Sequence, residues 1–85
     1  MMTYSVHREI GFSRIALLKI TATDIDPERA RRIIRSMMED CIVVCSTYNK
    51  KTYIDVTYKT KNRELNLIKK EAAEIVNEFQ ERYSR

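Results

Sequence analysis

Apolar and polar residues first alternate with a period of two, then recur with the helical period, and then repeat both patterns. Over residues 4–10 the alternation puts Tyr4, Val6 and Ile10 on one side and Ser5, His7 and Glu9 on the other. That predicts a short edge strand, with a turn at Gly11, the only glycine. Residues 14–23 read RIALLKITAT, with Ala16, Leu18, Ile20 and Ala22 on one face. Ile15, Leu17, Lys19 and Thr21 form the other face, itself half apolar. A strand apolar on nearly both sides belongs in the middle of a sheet or under a second covering surface.

The period changes after Thr23. Asp24 and Asp26 are candidate N-caps, because a short carboxylate accepts from the unpaired N–H groups of a first helical turn. Pro27 suits the first helical position, where its missing N–H costs nothing. Ala30, Ile33, Ile34, Met37, Met38 and Cys41 then recur on one helical stripe, opposite Glu28, Arg31, Arg32, Arg35 and Glu39. The methionines read as core filler rather than as ligands.

Residues 41–59, CIVVCSTYNKKTYIDVTYK, hold two β-branched and aromatic runs around a polar turn centred on Asn49, Lys50 and Lys51, and predict a β-hairpin. Asn49 is the candidate for the left-handed backbone that a tight turn requires. Ile54, Val56 and Tyr58 make one face of the second strand. Tyr53, Asp55, Thr57 and Lys59 make the other, which should meet solvent or a partner. Asn62 is a candidate cap for a last helix running from Arg63 almost to the end. Its stripe is Leu65, Ile68, Ala72, Ile75, Val76, Phe79 and Tyr83, and Glu78 and Arg82 can pair at i, i+4.

The elements add up to one α+β domain over residues 1–85, in the order β-β-α-β-β-α. The expected architecture is a two-layer sandwich, an antiparallel sheet with two helices on one face. One sheet face then stays uncovered in a monomer, and Ile15, Leu17, Tyr53 and Thr57 are the candidates to form an interface there.

Composition agrees with a globular chain: 44% of residues are hydrophobic and 33% charged. A domain this small buries a modest share of its surface, and oligomerisation would relieve its marginal stability. No apolar run reaches the roughly 20 residues of a membrane helix. The opening MMTYSVHREIGF lacks the apolar core of a signal peptide, so the cytoplasm is the expected compartment. On one strand Cys41 and Cys45 would stand about 13 Å apart at ~3.3 Å per residue, beyond the ~7 Å that a disulfide spans. Buried free thiols are therefore expected, and a metal pair would find only His7 as a further ligand.

The net charge is +4 and the isoelectric point about 9.2. Residues 1–63 carry twelve Lys and Arg against seven Asp and Glu, whereas residues 64–85 carry four against five. The excess gathers in Arg29, Arg31, Arg32 and Arg35, and in Lys50, Lys51, Lys59, Lys61 and Arg63. Such clusters can meet RNA or an acidic partner, and equally can be the solvated surface of a basic protein. Tyr48, Tyr53 and Tyr58 interleave with the hairpin lysines, a pattern in which rings could stack on bases, although tyrosine is also a good strand former.

Catalytic chemistry finds no footing. A thiol nucleophile would need His7 beside Cys41 or Cys45, and an apolar strand raises a thiol pKa. Asp24 and Asp26 read as capping residues, and Glu71, Glu74 and Glu78 as a solvated helix face. A single glycine excludes phosphate-cradling and dinucleotide-binding loops. No enzyme, cofactor or metal site is expected.

Over residues 17–79 the chain resembles the small dimerising subunit of the KEOPS complex, which makes a threonylcarbamoyl modification of tRNA. The matching features are a strand ending near Thr23, a helix opening Glu28-Arg29-Ala30, the hairpin, and Arg63-x-Leu65 at the start of the last helix. Where that family tends to have an Asn-Ser pair, Lys70-Glu71 stand here. The resemblance implies a non-catalytic homodimer whose helices dock the catalytic subunit and which assists tRNA binding.

The expected function is thus association: a homo-oligomer or a small subunit of a protein complex. One alternative is direct nucleic-acid binding through Arg31, Arg32 and Arg35 and the Lys/Tyr hairpin, with Lys50, Lys51, Lys59, Lys61 and Arg63. Another is a ligand-sensing, ferredoxin-like regulatory domain, although the glycine-bearing turns of such domains are missing.

Overall fold

The structure, a computed structural model, describes residues 2–8 and 14–85. Its elements are β1 (Met2–Arg8), β2 (Ile15–Thr23), α1 (Pro27–Met37), β3 (Cys41–Tyr48), β4 (Lys51–Lys59) and α2 (Leu65–Tyr83). The strands form one antiparallel four-stranded sheet in the order β1-β2-β4-β3. β2 is central, as its two apolar faces require, and β1 is an edge. β1 begins at Met2, paired with Ala22, earlier than the alternation alone suggests. The expected turn at Gly11 and the positions of Glu9 and Ile10 lie outside the described residues.

One face of the sheet is buried under both helices. Ala16, Leu18 and Ile20 of β2 and Ile54, Val56 and Tyr58 of β4 meet Ala30 and Ile34 of α1 and Ile68, Ala72, Val76 and Phe79 of α2. α1 lies over β3 and β4, and α2 packs against α1 and over β1. The result is the two-layer α+β sandwich.

Local chemistry sets the boundaries. Asp26 is the cap of α1, its carboxylate accepting from the Glu28 N–H at 3.2 Å. Asp24 instead sits in the left-handed region, at φ 59°. α1 ends at Met37 with Met38 already extended, so Cys41 belongs to β3 and not to the helical stripe. The hairpin turn is a two-residue one: Asn49 has φ 50° and Lys50 φ 65°, while Lys51 already pairs with Tyr48. Positive φ at both central residues is the type I′ requirement. At the last helix Asn62 is not the cap. The Thr60 N–H still extends the sheet, donating to the Arg14 carbonyl at 2.9 Å, and the helix opens only after Glu64.

Candidate interaction surface

The sheet register decides what stands on the uncovered face. Ile15, Leu17, Lys19, Thr21 and Thr23 of β2 alternate outward from the buried set, as do Lys51, Tyr53, Asp55, Thr57 and Lys59 of β4. All four expected interface residues, Ile15, Leu17, Tyr53 and Thr57, therefore lie on this open face, and all four are half-buried. Rows of side chains cross it. His7, Leu17, Thr57 and Ile42 make one row, Ser5, Lys19, Asp55 and Val44 the next, and Thr3, Thr21, Tyr53 and Ser46 a third.

β3 adds apolar surface that was not expected. Ile42 is 65% exposed and Val44 59% exposed, both on the open face of an edge strand that carries no charge. The signal was in the sequence: once Cys41, Val43 and Cys45 turn inward, Ile42 and Val44 must turn outward. Native edges are usually blunted by a charge, a proline or a bulge, and β3 has none of these in its register with β4. At the end of the sheet, Ile15, Ile42, Thr57 and Lys59 border an open groove of about 360 Å³ that Glu39 and Asp40 close on the helix side.

The residues of the two expected basic clusters fall in four separate places. Arg31, Arg32 and Arg35 are exposed on α1, in the layer away from the open face. Arg31 faces Glu28 at 3.6 Å. Arg29 leaves this cluster altogether: it is tied to the C-terminal end of α2, with its guanidinium 4.2 Å from the centre of the Tyr83 ring. Lys50 and Lys51 stand at the hairpin tip. Lys59, Lys61 and Arg63 stand at the other end of β4, about 26 Å away at ~3.3 Å per residue. There the register brings in two cations that sequence reasoning missed. Arg14 lies beside Thr60, and Arg8 donates through Nη1 to the Arg63 carbonyl. None of these five is ion-paired among the described residues.

The hairpin tyrosines do not form one platform. Tyr48 is 75% exposed near the tip. Tyr53 is half-buried on the open face, and Tyr58, only 3% exposed, points into the core. The Tyr58 hydroxyl and Glu71 Oε1 are both buried without a hydrogen bond of ordinary geometry. Burial pushes the Tyr58 pKa far up, and the neighbouring Glu71 carboxylate pushes it further.

Both cysteines are free and half-buried. Burial raises the pKa of each thiol, against the opposing pull of Arg35 on Cys41 and of Arg31 on Cys45. A raised thiol pKa makes a poor nucleophile at neutral pH. Among the described residues no three His, Cys, Asp or Glu side chains are grouped to hold a metal. Among the described residues no helix is long and apolar enough to cross a membrane.

No protein-family model, curated protein or solved structure matches the chain. Function must therefore be read from the surface itself.

Proposed function

We propose that this protein is a non-catalytic association module that assembles through the open face of its sheet, as a homodimer or as a small subunit of a larger complex. One observation carries the proposal. An entire sheet face bears half-buried Ile15, Leu17, Tyr53 and Thr57 beside exposed Ile42 and Val44, and neither helix covers it. Apolar side chains on an uncovered sheet face are what partners bury. The resemblance to the small KEOPS subunit implies a tRNA-modification complex in the cytoplasm as the setting.

The test is solution mass at tens of micromolar for the wild type and for Tyr53→Lys/Thr57→Lys. A wild-type dimer that the double variant dissociates supports the proposal. A wild-type monomer removes the homodimer, and an unchanged mass in the variant removes the sheet face.

A second reading, direct binding of nucleic acid, is favoured by one observation. Arg8, Arg14, Lys59, Lys61 and Arg63 gather at one end of the sheet, unpaired among the described residues. Clustered cations of this kind suit a phosphate backbone.

A further inference from the structure

The open face carries its charges in a self-complementary arrangement. Lys19 and Asp55 are register partners on the two central strands, and they occupy the middle row of the face. Lys51 and Lys59 lie on β4 four residues to either side of Asp55, opposite Thr23 and Ile15 of β2. Lys19 and Asp55 make no ion pair with each other.

We infer that a second copy docks on this face about a twofold axis that runs along the strands midway between β2 and β4, so that Lys19 of each copy meets Asp55 of the other. This rests on the homodimer proposed above. An isologous interface requires a patch that complements itself under its own axis. Under this axis β2 of one copy lies over β4 of the other, row upon row. The two Lys19–Asp55 pairs then cross at the centre, Lys59 faces Ile15, Lys51 faces Thr23, and among the described residues no like charges meet. The alternative twofold axis, across the strands through the central row, opposes Lys19 to Lys19, Asp55 to Asp55 and Lys51 to Lys59. The charge pattern therefore selects the first axis.

The size of the face is in keeping with this arrangement. The sheet has two strands on each side of this axis, so overlap is complete: β1 lies over the other copy's β3, covering Ile42 and Val44. Strands at about 4.8 Å spacing and ~3.3 Å per residue give the face roughly 500 Å² in projection. The accessible area of standing side chains exceeds its projection, so the overlap approaches the ~800 Å² per partner of a stable interface. Aligned sheet packing within about 30° is an ordinary way for two such faces to meet.

The test is a charge-reversal mixing experiment on the full chain. Lys19→Asp alone places four carboxylates at the centre of the dimer, and Asp55→Lys alone places four ammonium groups there. Each single variant should be a folded monomer, its dimer dissociation constant raised by about 100-fold or more. An equimolar mixture of the two should form a one-to-one heterodimer, because opposite charges meet again across the axis. Single variants that stay dimeric, or a mixture that stays monomeric, overturn the inference while leaving a sheet-face dimer standing. A monomeric wild type overturns the homodimer itself. Should a single variant fail to fold by circular dichroism, Lys19→Gln and Asp55→Asn take its place. Each should raise the dissociation constant by about tenfold, and an unchanged constant overturns the inference.

Discussion

The Arg29 guanidinium lies 4.2 Å from the centre of the Tyr83 ring and donates to the Tyr83 carbonyl oxygen at 2.7 Å. It also donates to the Arg85 carbonyl at 3.1 Å. The Tyr83 hydroxyl, in turn, accepts from the Asp26 N–H at 2.8 Å. The start of α1 and the end of α2 are thus held by one cation and one ring. A guanidinium stacks on an aromatic face and satisfies carbonyls at a helix C-terminus together, which an ammonium does less well.

Arg29→Ala should therefore destabilise the fold by about 1–3 kcal/mol, the sum of a cation–π contact and hydrogen bonds to a charged group. Arg29→Lys should recover part of that loss. Urea unfolding of the two variants checks it. Full recovery by lysine would mean that the planar fork contributes nothing beyond its charge, and losses equal to those of alanine would mean that the charge alone contributes nothing.

Much of this fold was legible in the sequence because period and burial agree in it. β2 is apolar on both faces and is central, and the α1 stripe of Ala30 and Ile34 is the buried one. Boundaries were harder where local and non-local bonds compete: Asn62 looks like a cap, but the Thr60–Arg14 pairing prolongs the sheet past it. The interface candidates on β2 and β4 could be placed by alternation alone. The contribution of β3 was missed because CIVVC reads as one apolar run until a register assigns its faces. The basic residues misled for a related reason. Proximity in sequence joined Arg29 to Arg31 and joined the two ends of β4, while the cluster that includes Arg8 and Arg14 exists only through strand pairing.

Lys50 is in the left-handed region at φ 65°, where a side chain with a Cβ is strained. Asn tolerates that region and glycine prefers it, which is why Asn-Gly is the strongest type I′ pair. Lys50→Gly should stabilise the protein by about 0.5–1 kcal/mol, after allowing for the extra freedom glycine gives the unfolded chain. Asn49→Val should act in the opposite direction. A melting series on both variants checks the turn, and a fall in Tm for Lys50→Gly would contradict it.

Tyr58 and the two cysteines set the alkaline limit of stability. Their folded-state pKa values are raised from 10.0 for the phenol and 9.0 for the thiols, so the folded chain holds these protons after the unfolded chain has lost them. Their contribution is complete below about pH 9 and is lost as pH rises through the folded-state values. Stability should hold level through neutrality, bend downward above about pH 9 and steepen above about pH 10. Tyr58→Phe should remove the steeper part. Glu71→Gln should let the phenol ionise at lower pH, read from tyrosinate absorbance, since the carboxylate no longer opposes the charge.

The two surfaces of the protein can be separated by salt. Arg31, Arg32 and Arg35 lie on the helix layer, away from the sheet face, so replacing all three by Ala should leave the oligomeric mass unchanged. If the protein binds single-stranded RNA, the contact belongs at the sheet end, where Arg8, Arg14, Lys59, Lys61 and Arg63 converge from three separate stretches of chain. Five neutralised phosphates predict a slope of about −3.5 for log affinity against log salt. Replacing Lys59, Lys61 and Arg63 by Ala should flatten that slope to about −1.4, whereas the α1 triple variant should leave it near its original value. Fluorescence anisotropy across a salt series measures both. A slope that responds to the α1 variant and not to the sheet-end variant would place the phosphate contact on the helix layer and remove the sheet end from the binding surface.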